Sequence, residues 1–443
     1  MGNDSLLQFY EGAVAAAAPG PATARAVEEL NIDRSRRIWI FAIGKAARPM
    51  AAAAVTSALR SLHSIVGGVI VGPDDAPSPY PTIQSLRGDH PVPGRNSFEA
   101  AARIADVASG RRGTDVALVL LSGGATSLVG APVRGIPEAD FVALHELLLG
   151  SGLEIAAMNV VRKRFSRWAA GRLALALAPA ATHCLAVSDV QGDEPSVIGS
   201  GPCVPDSTGV QEVTEILQRA NLLSRAPQSV REYLAAVARR TIPETPARGH
   251  PAFAHVAVRI IGNNAVARDG AAAAARAQGL EAQVVPNWLS GEAARLGESI
   301  ARDLITRRAH GEAGACVVWG GEPTVTLTGT AATTAGGGRC QELALAAARA
   351  LAEPSATTAT AHPSDRAPSL LAAGTDGRDG ATDAAGAIVD GATWAAIADA
   401  GVNPAHALAE HRSYAALRAA SALIPRRDTG TNVNDLVIGT IAR

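Results

Sequence analysis

The chain has 443 residues, 47% hydrophobic and 18% charged, which describes a well-packed globular protein and excludes a disordered one. A net charge of −1 argues against a nucleic-acid binder that works by neutralising phosphates, and 3% aromatic content leaves the core to Ala, Val, Leu and Ile. The length exceeds what one core usually supports, so two domains are expected.

In chain order, the apolar stretch Ala13 to Ala18 is short, lacks a basic leader and ends at Pro19-Gly20-Pro21, so it is not expected to be a signal peptide. Strands are expected at Arg37–Ile43, Ile65–Val71, Asp115–Leu121 and His183–Val187, with helices at Asn96–Ser109, Pro137–Leu149 and Arg162–Leu177. Thr241 to Pro251 is rich in Pro and Gly and has no periodicity, which makes it the expected linker between domains 1–245 and 250–443. Beyond it, strands are expected at His255–Ile261, Ala282–Val285, Ala315–Trp319, Thr324–Thr328 and Ser369–Ala373, with a helix over Val266–Gln278. Glu353 to Pro368 reads as a mobile surface loop. Alternation of strands and helices predicts two α/β domains with mostly parallel sheets, the first Rossmann-like and the second smaller. The four cysteines form no zinc or redox pattern, and no run approaches the ~20 apolar residues of a membrane span. A cytoplasmic protein with no membrane or nucleic-acid partner is expected, as a monomer or a homodimer.

Among 40 basic residues only Lys45 and Lys163 are lysines. In a chain this biased toward arginine, a surviving lysine is enriched for sites that need a compact ammonium. Lys45 follows the strand Arg37–Ile43 and a glycine, at a strand end feeding a helix, where open α/β sheets place ligands. Lys163 could equally belong to the polar face of a basic helix. Ser122-Gly123-Gly124 ends another apolar strand in a turn whose backbone N–H groups can converge on an anion. Asp189 sits at a strand end before a long glycine-bearing loop, placed either to hold a metal ion or to accept a proton from a substrate hydroxyl.

In the second half, Gly320-Gly321-Glu322 is expected to join two strands. Gly336-Gly337-Gly338 opens a helix whose N-terminus suits a phosphate, and Arg339 in its first turn calls for a nearby anion. Asp376 lies in a turn offering carboxylates to a cation or serving structure alone, and Asn432 belongs to a polar cluster before the last strand. Walker A, G-x-G-x-x-G and G-x-S-x-G fingerprints are all absent.

Taken together, Ile43-Gly-Lys45-Ala-Ala, Asp89-His-Pro-Val-Pro, Leu121-Ser-Gly-Gly-Ala-Thr-Ser127 and Met158-Asn-Val-Val-Arg-Lys163 resemble segments of the class II glycerate kinase family, whose C-terminal half is the MOFRL domain. So do Ser188-Asp-Val, Gly199-Ser-Gly-Pro202, Gly320-Gly-Glu-Pro-Thr324, Gly338-Arg-Cys-Gln-Glu342 and Gly374-Thr-Asp-Gly377, all in family order. The resemblance implies transfer of the γ-phosphoryl group of ATP to D-glycerate, typically at the 2-hydroxyl, with Mg²⁺. It assigns essential roles to Lys45, Asp189 and Arg339, with the site in the cleft between domains. Ser122, Gly123, Gly124, Lys163, Gly320, Gly321, Glu322, Gly337, Gly338, Asp376 and Asn432 are the expected substrate and nucleotide contacts, and Asp189 the candidate metal ligand. The family's usual His-Leu pair is replaced here by Arg164-Phe165, which bears on substrate contacts near Lys163. The alternative is an NAD(P)H-dependent hydroxypyruvate reductase, disfavoured by the missing dinucleotide fingerprint.

Overall fold

The computed structural model describes residues 3–327, 336–353 and 368–442. It divides into two compact units, Pro19–Ile261 and a discontinuous one made of Met1–Ala18 with Gly262–Arg443. The boundary expected at 245/250 therefore falls later in the chain, and the first helix belongs with the C-terminal residues. The strand expected to open the second domain is instead β6 (Val256–Gly262), the sixth strand of the first sheet. Its apolar side chains Val256, Val258 and Ile260 pack on the first unit's core, which outweighs the break at the Pro-rich linker.

In the first unit β1 (Arg37–Ile43), β2 (Ser64–Gly72), β3 (Ile83–Arg87), β4 (Val116–Leu121), β5 (Ala181–Val187) and β6 form one sheet in the order β3-β2-β1-β4-β5-β6. β1, β2, β3, β4 and β5 pair in parallel. β4 reads Val-Ala-Leu-Val-Leu-Leu and is buried throughout, the pattern of a parallel strand covered on both faces. This is the doubly wound strand order, and the sheet reverses its direction of growth between β1 and β4. Crevices at that reversal open beyond the carboxyl ends of the two strands, where Gly44-Lys45 and Ser122-Gly123-Gly124 stand. The helix expected over Arg162–Leu177 is two helices, Ile155–Phe165 and Arg172–Leu177. Ser166 is extended and Gly171 takes a left-handed conformation (φ 77°), so the helical path cannot run through.

The second unit contains β7 (Glu281–Glu292), β8 (Ala315–Thr324), β9 (Ser369–Gly374), β10 (Ala384–Val389), β11 (Leu423–Pro425) and β12 (Asp435–Thr440), ordered β11-β10-β9-β12-β8-β7. Only β7 and β8 pair in parallel; the other four pairings are antiparallel. The expectation of a mostly parallel second sheet is thus corrected. The helix Arg339–Ala352, nearly all buried, packs on this sheet and against the helix Ala293–Ala309. The helices Asn3–Ala16 and Asn264–Ala277 cross where Gly12 meets Gly270, and a Cβ on Gly12 would lie 2.8 Å from Ala274 Cβ. Tyr10 Oη then donates to Gly374 O at 2.7 Å, tying the first helix to the end of β9. The loop expected at Glu353 to Pro368 lies almost wholly outside the described residues, whereas the strand expected at Thr324–Thr328 is corrected: Thr324 ends β8, residues 325–327 have no regular structure, and only residue 328 lies outside the described residues. Among the described residues all four cysteines are unpaired and buried, and no helix is long and apolar enough to cross a membrane.

Candidate active site

In the first unit the turn after β4 is welded to the turn after β1. Ser122 N donates to Ile43 O at 3.0 Å, Lys45 N donates to Gly123 O at 2.9 Å, and Ser122 Oγ accepts from Ala46 N at 2.9 Å. Gly44 has φ 128°, and a Cβ there would overlap Ser122 Oγ, so glycine alone permits this closeness. Ser122 is buried and braces the start of the helix Ala47–Arg60 rather than standing open to a ligand.

Over this base two expected residues approach the same turn. A Cβ added to Gly123 would overlap Asp189 Oδ2, so the carboxylate rests directly on the Gly123 backbone. At Gly124, which is left-handed with φ 84°, an added Cβ would lie 3.4 Å from Lys45 Cγ and Cε and 3.4 Å from His90 Cδ2. The exposed Lys45 ammonium and the half-buried Asp189 carboxylate therefore flank adjacent residues of one turn. His90 joins them, although the sequence marked only its unusual Asp89-His90-Pro91 setting. Burial lowers its pKa, and Lys45 and Arg162 add to the effect, so the ring is neutral near pH 7.

The loop after Asp189 folds beneath this turn in two short helical turns, Gln191–Asp193 and Ile198–Ser200. Ser200 Oγ and Thr126 Oγ1 share a 2.8 Å hydrogen bond, and a Cβ on Gly199 would lie 2.8 Å from Leu121 Cδ1. The length of this loop is thus used in part to support the turn.

Lys163 is elsewhere engaged. Its ammonium is buried and lies 2.9 Å from Asp206 Oδ1. Asp206 also accepts from Thr208 N, Thr208 Oγ1 and Thr245 Oγ1, so this ion pair is satisfied and ties the helix Ile155–Phe165 to the later loops. Arg164 is equally committed, to Glu244 and to Thr208 O. Of the basic run Arg162-Lys163-Arg164, the lysine selected from the sequence has its charge neutralised within the protein.

In the second unit the expected residues gather around Arg339. Gly320, Gly321 and Glu322 lie inside β8 instead of in a loop joining two strands. Their glycines serve close packing, because a Cβ on Gly320 would overlap Asn264 Oδ1 and one on Gly321 would overlap Leu289 O. Arg339 Nη1 donates to Glu322 Oε1 at 2.8 Å, while Nε and Nη2 donate to the two oxygens of Asp435. The anion that the first-turn arginine called for is therefore supplied by the protein. Burial pulls the arginine pKa down, but Asp435 and Glu322 more than reverse this. Burial also pushes the Asp435 carboxyl up to about 7, against the pull of Arg339 and with Asp379 and Glu322 adding to the rise.

The helix N-terminus expected to hold a phosphate is also already capped. Asp379 Oδ1 accepts from Cys340 N at 3.1 Å and Oδ2 from Gln341 N at 2.8 Å. A Cβ on Gly338 would overlap this carboxyl group, and one on Gly337 would overlap Ser413 Oγ. The glycines admit an internal carboxylate to the helix end, which corrects the expected phosphate cradle. Asp376 Oδ1 accepts from Arg378 N at 3.0 Å and Asn432 Oδ1 from Asn434 N at 3.3 Å, both local turn bonds. Asp379 and Asp435 were missed as individual residues, although both stood in the polar segments singled out. Only their long-range partners reveal what they do.

A doubly wound sheet bearing a lysine and a carboxylate over one glycine turn, together with a second α/β unit, defines an α/β protein of two units with a candidate site on the first. Residues 5–235 match the family described as "Domain of unknown function (DUF4147)", and residues 315–435 match the MOFRL family. D-glycerate 2-kinase of Thermotoga maritima is 33% identical, with 98% of this chain and 97% of that protein covered. A putative hydroxypyruvate reductase of Agrobacterium vitis is 35% identical, with 97% of this chain and 92% of that protein covered. The crystal structure of glycerate kinase from Thermotoga maritima superposes with a TM-score of 0.86 at 33% identity, covering 99% of both chains. The chain belongs to the glycerate kinase family, and it is a kinase.

Proposed function

We propose that this kinase transfers the γ-phosphoryl group of ATP to the 2-hydroxyl of D-glycerate, giving 2-phosphoglycerate and ADP. The observation that carries the reading is the placement of Lys45 and Asp189 on adjacent glycines of the Ser122–Gly124 turn. Phosphoryl transfer needs charge neutralisation and in-line positioning more than covalent help. Lys45, which is exposed, neutralises phosphate oxygens as charge builds on them. Asp189 receives the acceptor hydroxyl, orienting it and drawing off its proton.

Mg²⁺ fits this donor set in a restricted way. Among the described residues no three His, Cys, Asp or Glu side chains gather as a metal cage. Mg²⁺ commonly takes one or two carboxylates and completes its shell with phosphates and water, so a single carboxylate suffices. In the alternative to its role as proton acceptor, Asp189 would be that ligand, and the ion would supply charge neutralisation at the phosphates. Arg339 enters as the residue that exchanges its exposed partner, Glu322, for a phosphate oxygen while Asp435 holds the rest of the guanidinium.

Purified protein with D-glycerate, ATP and Mg²⁺, followed by phosphorus NMR, tests the reading. A 2-phosphoglycerate signal supports it, and 3-phosphoglycerate would move the transfer to the other hydroxyl. NADH oxidation with hydroxypyruvate and no ATP-dependent product would replace the kinase by the reductase that the Agrobacterium relative's name suggests.

A further inference from the structure

Arg162 is 8% exposed, and its Nε and Nη2 are enclosed without a hydrogen-bond partner. Arg164 and Arg268, the other buried arginines among the described residues, both donate to protein acceptors: Arg164 to Glu244 and Thr208 O, Arg268 to Val285 O. Arg162 has no hydrogen bond and no ion pair among the described residues. A guanidinium taken out of water without a counter-charge is costly, since burial opposes the charged form.

Its surroundings are those of the active-site turn. The helix Ile155–Phe165 packs on the turn Ile198–Ser200, and the segment Ala125–Leu128 that begins after Gly124 packs on the same turn. Arg162 and Lys45 both act electrostatically on His90, whose ring borders Gly124 beside Lys45. Arg162 also acts on His145, whose Nε2 is enclosed without a partner. Two cations and a neutral imidazole thus share this end of the sheet, and the neighbouring basic residues Lys163 and Arg164 have carboxylates of their own while Arg162 has none.

We propose that Arg162 is the counter-charge for the carboxylate of the phosphoryl acceptor, a short hydroxy acid. The proposal rests on the D-glycerate reading above. Guanidinium suits a carboxylate better than ammonium does, and the division of labour follows: Lys45 serves the transferring phosphate and Arg162 the group that does not react. An enclosed, unpaired cation gains most from an anion that completes it, which gives the site a reason to prefer an acid over an uncharged alcohol.

The test compares wild type, Arg162→Gln and Arg162→Lys with D-glycerate and with uncharged D-glyceramide as acceptors. For Arg162→Gln we expect the KM for D-glycerate to rise about 30-fold or more, with kcat and the KM for ATP within about threefold of wild type. The preference for the acid over the amide should collapse, and Arg162→Lys should restore part of it. Thermal melting of the unliganded Arg162→Gln protein should not fall, because the guanidinium it removes has no partner, and D-glycerate should stabilise wild type but not this variant. An unchanged KM for D-glycerate overturns the proposal. So does a raised KM for ATP instead, which would make Arg162 a nucleotide contact. Loss of folding in both variants would make it a structural residue and overturn the proposal as well. Absence of any wild-type turnover with D-glycerate, by contrast, is a separate result that removes the functional reading on which this one stands.

Discussion

Replacing Lys45 by arginine keeps the charge and changes its shape, so it separates a site lysine from an ordinary one. The side chain is exposed and makes no structural ion pair among the described residues, so melting should be unchanged while kcat falls about 100-fold or more. Near-normal turnover would take Lys45 out of the site. Asp189→Asn should lose turnover to a similar degree, measured in the same phosphorus NMR assay. His145 carries a different expectation. Burial lowers its pKa to about 4, partly opposed by its Nδ1–H bond to Phe141 O. The unfolded chain then takes up the proton first as the pH falls, so stability is complete above about pH 6.5 and is lost toward about pH 4. The loss is on the order of 3 kcal/mol, and His145→Leu should remove that part of the slope in urea-unfolding midpoints measured across this window. Asp435, with its raised pKa, acts in the opposite sense over an overlapping range, so the difference between variant and wild type is the quantity to read. The positions of Lys45 and Asp189 just past strand ends were legible in the sequence, because an apolar run that breaks into a polar, glycine-bearing loop is a local signal. Lys163 and Arg339 were misjudged in their surroundings because Asp206 and Asp435 lie far along the chain, and spacing carries no trace of such pairings.

Among the elements, the helix Arg339–Ala352 depends on a cap from a distant turn. Asp379 satisfies two N–H groups that would otherwise be enclosed without acceptors. Asp379→Ala should lower the unfolding free energy of the protein by about 1–3 kcal/mol in urea titrations, and Asp379→Asn, which keeps one acceptor, by less. An unchanged midpoint in both would show that the cap contributes nothing. The first sheet was readable because its buried parallel strands are continuous apolar runs: β1 has the expected bounds and β4 differs by one residue. Strand direction in the second sheet was not, since β8, β9 and β12 are equally apolar runs and nothing local distinguishes an antiparallel neighbour from a parallel one. The break between the helices at 155–165 and 172–177 was hidden for a related reason. Nothing in the local sequence announces the break, whose bonds come from elsewhere: Gly171 N donates to Gly201 O at 2.8 Å and Arg172 Nη1 to Ser166 O at 3.0 Å.

At the scale of the whole molecule, the discontinuous unit makes a definite statement about fragments. Residues 250–443 alone lack the helix Asn3–Ala16, and with it the Tyr10 hydroxyl on Gly374 O and the Ala17 carbonyl that accepts from Thr431 Oγ1 at 2.9 Å. That fragment should be poorly folded by near-ultraviolet circular dichroism and hydrogen exchange. Residues 19–261, which hold a complete sheet and its core, should fold independently. Fusing residues 1–18 ahead of residue 262 through a short flexible linker should restore cooperative unfolding to the second unit, and failure to do so would show that the division is not one of stability.

The crossing at Gly12 and Gly270 has a consequence for biosynthesis. The helix Asn3–Ala16 is made well before the surface that receives it, which is translated only after the entire doubly wound sheet. Until then its apolar stripe, including Leu6, Phe9 and Tyr10, has no permanent cover and is a ready target for chaperones that recognise newly made segments. Nascent-chain crosslinking from Tyr10 should therefore report holdase occupancy that ends only once the final strand has emerged.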